Sequence, residues 1–315
     1  MNRSAIPTIA AALVLSLGVP SAAQTVLPVV TIAGPANDTA AAFLYAADMG
    51  FFAKAGLDVR INVQSNPGTI SAAVASGAVD VGSLTVPIVA LAADHNVPLK
   101  MIAAAGIYSS DNPTSGLVVL KNAAIQKAAD LNGKTIGVRD INNMNYYAAK
   151  LWIDKNGGNS SSVHFVEVPE TQALEALSAG RIDAAALANP GFYDAVHGAV
   201  ARMLAPTYDT IAKNFLIGVY FTSDAYAKAH PDIVRKLAAV LNDTSKWANA
   251  NRAQSAKILE KYSGSPVPAA IPRVIYGTSL RIGDVQPVLD VLYTVGAIRK
   301  PIRAADLFAG EATSP

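Results

Sequence analysis

Two stretches, one in each half of the chain, are built alike. Ala72-Ala73-Val74-Ala75-Ser76-Gly77-Ala78-Val79-Asp80-Val81-Gly82 has its counterpart in Ala173-Leu174-Glu175-Ala176-Leu177-Ser178-Ala179-Gly180-Arg181-Ile182-Asp183-Ala184. Each reads as a helix of small residues, a glycine that ends it, and a tight turn in which an aspartate leads into a strand. Glycine accepts the left-handed backbone that closes a helix, and aspartate is a common turn former, so one copy alone says little. Two copies in corresponding places predict twin lobes of like construction.

The surrounding pattern agrees. Residues 29–33 read as a strand ending at Gly34-Pro35, with Asp38 or Thr39 capping the next helix through its side-chain oxygen. Phe43, Ala47, Gly50 and Phe51 share a face of that helix. Strands at 57–63, 79–82 and 100–105 and a helix at 69–76 complete a βαβα order, the mark of a mostly parallel sheet covered by helices. The rhythm repeats with strands at 117–120, 134–138, 164–168 and 182–187 and helices at 146–155 and 171–179. The expected division is a first lobe of residues 24–111 plus 217–315 and a second of 112–216, with crossings near 108–115 and 215–221. Beyond these the chain turns helical from Pro231, a residue suited to a first helical turn, to about Tyr262, and Asp284 is expected to cap a last helix.

Composition narrows the function. Hydrophobic residues make up 51% of the chain and charged residues 15%, the reverse of a disordered segment. A net charge of +2 without Lys/Arg runs argues against a nucleic-acid partner. There is no cysteine, which removes disulfides, thiolate metal sites, cysteine nucleophiles and lipid attachment at an N-terminal Cys. The four histidines are scattered and none sits four residues from another, so a zinc site is not expected. G-x-S-x-G, H-E-x-x-H and Walker motifs are missing, and Asp80 and Asp183 read as turn residues. The expectation is a binding protein with no cofactor and no catalytic residues.

The N-terminus sets the compartment. Arg3, an apolar run at 9–19 and the small residues Pro20-Ser21-Ala22-Ala23 before Gln24 have the layout of a secretory signal peptide at 1–23, cleaved after Ala23. The run is short of the roughly 20 apolar residues a membrane span needs. The mature chain is expected to be soluble and periplasmic.

Four motifs, in order, carry a resemblance. Gly50-Phe51-Phe52 with Gly56-Leu57-Asp58-Val59, then Ser76-Gly77 with Asp80-Val81-Gly82, then Leu131-Asn132-Gly133-Lys134-Thr135-Ile136-Gly137-Val138, and Ala176-Leu177-Ser178-Ala179-Gly180-Arg181-Ile182-Asp183-Ala184 resemble segments of the NMT1/THI5-like solute-binding proteins. These are relatives of the nitrate, sulfonate, taurine and pyrimidine-precursor receptors of ABC importers. The resemblance implies an α/β type II periplasmic-binding-protein fold, two α/β lobes joined by two crossing strands with a ligand cleft between. It also implies hinge closure, a small organic solute as ligand, an ABC transporter permease as partner, and a monomer. A sensing role at a membrane receptor stays open. The family's pyrimidine-precursor synthases use a Cys-rich segment that this chain lacks.

Ligands of open α/β sheets sit beyond the carboxyl ends of the strands. That rule selects Asn37-Asp38-Thr39, which serve equally as a helix cap; Ser83-Leu84-Thr85; Tyr108 near the first crossing; and Asn189 and Phe192 after the strand at 182–187. Tyr220 follows the second crossing. Arg139, Asn142, Asn143, Asn145 and Tyr146 lie at a helix start where family members carry small hydroxyl residues. Here the asparagines, with both donors and acceptors, suit an amide, hydroxyl or carboxylate better than a bare tetrahedral anion. Arg139 either clamps a carboxylate or pairs with Asp140.

Overall fold

The computed structural model of the protein describes residues 27–198 and 200–310, so the signal peptide expected at 1–23 lies outside the described residues. In chain order the strands are β1 (Val29–Gly34), β2 (Asp58–Val63), β3 (Val81–Thr85), β4 (Leu99–Ala104), β5 (Gly106–Ser109), β6 (Ser115–Leu120), β7 (Thr135–Val138), β8 (His164–Glu167), β9 (Ala184–Ala188), β10 (Ala201–Ala205), β11 (Asn214–Leu216), β12 (Gly218–Ser223) and β13 (Ile275–Tyr276). They build two five-stranded sheets of matching design, β2-β1-β3-β12-β4 and β8-β7-β9-β6-β10. In each, three parallel strands stand together, and the fourth strand, β12 in one sheet and β6 in the other, runs antiparallel to them.

The sequence repeat has a structural cause. Gly77 and Gly180 both take the left-handed backbone, with φ of 77° and 66°. Asp80 Oδ2 then accepts from Thr31 N at 2.7 Å, and Asp183 Oδ2 from Thr135 N at 2.9 Å. In each sheet the aspartate ties the turn before the third parallel strand to the start of its central neighbour. Each carboxylate gives Oδ2 to the backbone, and Asp183 Oδ1 also pairs with Lys134.

Burial follows position in the sheet. β12, an interior strand of the first sheet, is buried at every residue, whereas the edge strands β2 and β8 are largely exposed. The second sheet is covered on both faces: Leu117, Val119, Ile136 and Ala186 point into one apolar cluster, and Val118, Ala185 and Leu187 into another. This is the alternation of strands packed on two sides. Between the sheets, β5 and β11 pair antiparallel and β13 joins them. The chain passes from β4 through β5 to β6, and returns from β10 through β11 to β12.

Several local expectations are corrected. Neither Asp38 nor Thr39 caps the first helix, Ala42–Asp48; Asn37 Oδ1 instead accepts from Ala40 N in the preceding turn. That helix stops before Gly50, which is left-handed, and restarts at Phe51. The long C-terminal helix breaks at Asn251 into Pro231–Ala250 and Arg252–Ser263. Asp284 lies inside the helix Ile282–Thr294 and pairs with Arg281. β3 starts later than its apolar run suggests because Asp80 occupies the turn, and this moves Ser83, Leu84 and Thr85 into the strand.

Candidate functional site

The carboxyl ends of the parallel strands of both sheets open on one cleft of about 760 Å³. Asn37, Asp38, Thr39, Leu84 and Thr85 line it from the first sheet's side; Arg139, Asn142, Asn143, Asn145 and Asn189 line it from the second. Helices Pro67–Ser76, Val86–Asp94, Met144–Lys155 and Glu170–Ser178 all begin at its wall. A smaller groove of about 230 Å³ is lined only from the second sheet's residues 166–182 and involves one lobe alone.

Several of the lining side chains also hold their own loops. Asp38 Oδ1 accepts from Arg273 Nε at 2.8 Å and from the Tyr276 hydroxyl at 2.7 Å, and its Oδ2 from Val274 N at 2.8 Å. Arg273 donates further to Tyr45 and Ser255. Asn143 caps Met144–Lys155 by accepting from Tyr146 N at 2.9 Å, and Asn66 caps Pro67–Ser76 in the same way. Asn142, left-handed at φ 78°, accepts from the Tyr147 hydroxyl. Asn189 spans the cleft: its Oδ1 accepts from Tyr193 N in its own lobe, and its Nδ2 donates to Pro272 O on the other side at 2.7 Å. Arg139 takes the second of its two expected roles, donating from Nε to Asp140 at 2.6 Å.

Five expected residues are not among those lining the cleft. Ser83 is fully buried within the first sheet. Tyr108 belongs to the crossing: its hydroxyl donates to Asp209 at 2.7 Å and its ring packs on Tyr208 and Phe215. Tyr146 stacks edge-on against Phe165. Phe192 packs on Gly116, where even a Cβ would come within 2.7 Å of its ring. The buried Tyr220 hydroxyl donates to Ala40 O at 2.6 Å and accepts from Phe43 N at 3.0 Å, so it braces the turn behind Asn37-Asp38-Thr39.

The cleft also includes residues that the sequence reading passed over: residues 65–68, Thr114, Ser115, Glu167, Glu170 and Tyr208. The loops after β2 and β8 obey the same carboxyl-end rule as those after β1, β3 and β7, so 65–68 and Glu170 lie within its reach. Tyr208, in a short turn after β10, carries no such signal. Glu170 accepts from Ala188 N. Burial raises its carboxyl pKa above the ordinary 4.5, although the Arg139 charge pulls the other way. Among the described residues, no group of three or more His, Cys, Asp or Glu is placed to hold a metal, and no helix is long and apolar enough to cross a membrane.

Twin sheets, two crossings and a shared cleft define the fold of the periplasmic solute-binding proteins. The family model described as NMT1/THI5 like matches residues 37–255, and the chain belongs to that family. The fold is similar to that of the periplasmic aliphatic sulphonate binding protein from Escherichia coli, with a TM-score of 0.72 and 16% identity over 90% of this chain and 97% of that one. The alkanesulfonate-binding protein from Xanthomonas axonopodis pv. citri, bound to MOPS, gives 0.68 and 20% over 89% and 97%. In sequence, the chain is 32% identical over 143 residues to the formylaminopyrimidine-binding protein of Halalkalibacterium halodurans. That match takes in 45% of this chain and spans 42% of the relative's length.

Proposed function

We propose that the chain is the substrate-binding component of an ABC-type importer, a periplasmic monomer that closes two lobes around a small organic solute and presents the closed form to a membrane permease. Residues 24–111 with 217–315 make the first lobe and 112–216 the second, and the segment 1–23 directs export. The observation that carries the reading is the cleft itself, which draws its walls from the carboxyl ends of two separately built sheets. A solute touching both walls has contacts in the closed state that it lacks in the open one. Such differential contact is what shifts a hinge equilibrium.

Two measurements test it. Native mass spectrometry of freshly purified protein should show a retained small molecule released on denaturation. Because the chain has no cysteine, Thr69→Cys and Gln172→Cys give one spin label at the rim of each lobe. The inter-label distance should shorten when that solute is added. A distance distribution indifferent to a bound solute rejects hinge closure.

A further inference from the structure

The two halves of the molecule meet at more than the crossing strands. The helix Met144–Lys155 is buried on two sides. Ala149 and Ile153 belong to the second sheet's apolar cluster, with Leu117 and Ile136. Met144, Tyr147, Ala148 and Leu151 recur at the spacing of one helical face, and each is no more than 3% exposed. These four belong instead to the first sheet's apolar cluster, with Val285, Leu289 and Leu292 of the C-terminal helix Ile282–Thr294. The two helices pack directly on each other. Tyr208 and Phe215, in contact on the return crossing, join the same cluster.

A second, polar contact joins the halves at the cleft. Pro272 O accepts from Asn189 Nδ2 at 2.7 Å, and Arg273 O accepts from Asn112 Nδ2 at 3.4 Å. Both carbonyls lie on the strap leading into β13, which Asp38 fastens through Arg273 Nε and Val274 N. Asn189 and Val274 line the cleft, whereas Leu151, Leu289 and Leu292 do not. Magnitudes separate the two contacts. Baring even two leucine-sized side chains disfavours a state by a factor of at least about a hundred. One hydrogen bond is worth about fivefold. An opening that parts the two helices is therefore far rarer than one that keeps them together and breaks the Asn189 bond.

Resting on the two-lobe closure above, we propose that the packed helices Met144–Lys155 and Ile282–Thr294 are the pivot on which the halves swing, and that the bond from Asn189 to Pro272 is the latch that the swing releases. Leu151, Leu289 and Leu292 are then positioning residues. They hold the helix whose first turn carries Asn143 and Asn145 to the cleft, without touching the cleft themselves. The test needs no solute, because the chain has no cysteine and takes spin labels in pairs. One pair sits at the rim, at 69 and 172. A second sits on the pivot helices, at Lys155 and Tyr293, both exposed. Asn189→Ala should raise the open fraction seen by the rim pair about fivefold and leave the pivot pair's distance distribution as in the wild type. Leu151→Ala and Ile153→Ala then compare the two faces of one helix. Both remove a buried aliphatic side chain, yet only Leu151→Ala should widen the rim distribution.

The proposal is overturned if the pivot pair widens together with the rim pair in Asn189→Ala, or if that variant leaves the rim unchanged. It is equally overturned if Leu151→Ala and Ile153→Ala move the rim labels alike, since Leu151 is then core packing and nothing more. Circular dichroism controls for folding, and should either leucine-sized truncation fail to fold, the two label pairs in Asn189→Ala decide the matter alone. The mass-spectrometric test of solute capture stands apart from these outcomes. A protein that retains no solute yet swings on the helix pair keeps the pivot and loses the solute-binding reading.

Discussion

The two walls of the cleft are built from sheets of one design, yet they use their polar side chains differently. On the first-lobe wall, Asp38 is consumed by Arg273, Tyr276 and Val274, and Asn37 and Asn66 turn their oxygens to backbone N–H groups. On the second-lobe wall, Asn142 and Asn143 are held only by residues of their own helix start, and the terminal nitrogens of Arg139 have no hydrogen-bond partner among the described residues. The cause lies outside the repeat. The segment leading to β13 fastens the Asp38 loop through Arg273 and also accepts the bond from Asn189 of the second lobe. In the proposed function, the first wall is a braced surface against which a solute is pressed, and the other is the reading wall.

Breaking the brace should cost the most. Arg273→Ala leaves Asp38 without its cation and the buried Tyr45 and Tyr276 hydroxyls short of a partner. Removing one member of a buried pair costs roughly 3–5 kcal/mol. With the Asp38 side chain a quarter exposed, the lower end, about 3 kcal/mol, is expected in urea unfolding. A loss under about 1 kcal/mol would mean that the wall is not braced this way. Asn189→Ala comes next. It removes the bond to Pro272 that crosses the cleft and the bond from Tyr193 N, about 1–3 kcal/mol together. Because one of the two joins the lobes, the rim labels at 69 and 172 should also show a wider distribution without any solute. A stability loss with unchanged distances would assign Asn189 to its own lobe only.

The extent to which this was legible in the chain follows from which forces are local. Gly77 with Asp80, and Gly180 with Asp183, encode a turn whose geometry needs only its own residues, so the twin sheets could be read directly. The carboxyl-end rule likewise led to Asn37, Thr85, Asn143 and Asn145. Tyr108, Phe192 and Tyr220 went astray because an aromatic near a strand end packs inward or outward according to partners distant in sequence. Phe192 meets Gly116 and Tyr220 meets Ala40, and neither pairing leaves a periodic trace. The bond from Asn189 to Pro272 joins residues 83 apart in the chain, and the Asp38 brace joins residues 235 apart. Spacing arguments do not reach such pairs.

Asn143 and Asn66 allow the walls to be compared at matched positions, since each caps a helix at the cleft. Replacing either by alanine should cost about 1 kcal/mol of stability. Only Asn143→Ala should also reduce solute affinity measurably, because its amide is buried at the reading wall while Asn66 is exposed. Equal affinity losses in calorimetry would erase the distinction between the walls.

The smallest effect is expected from the proton on Glu170. Its folded-state pKa lies above the ordinary 4.5, chiefly through burial. As pH rises from 4.5 through that raised value, the native state holds a proton that the unfolded chain has released, so stability declines across the window and the penalty is complete above it. Glu170→Gln has no such proton. Its melting temperature should therefore gain on the wild type as pH climbs through the window, and the two should differ by a constant above it. Parallel profiles from pH 4 upwards would show that the carboxylate is not confined at the reading wall.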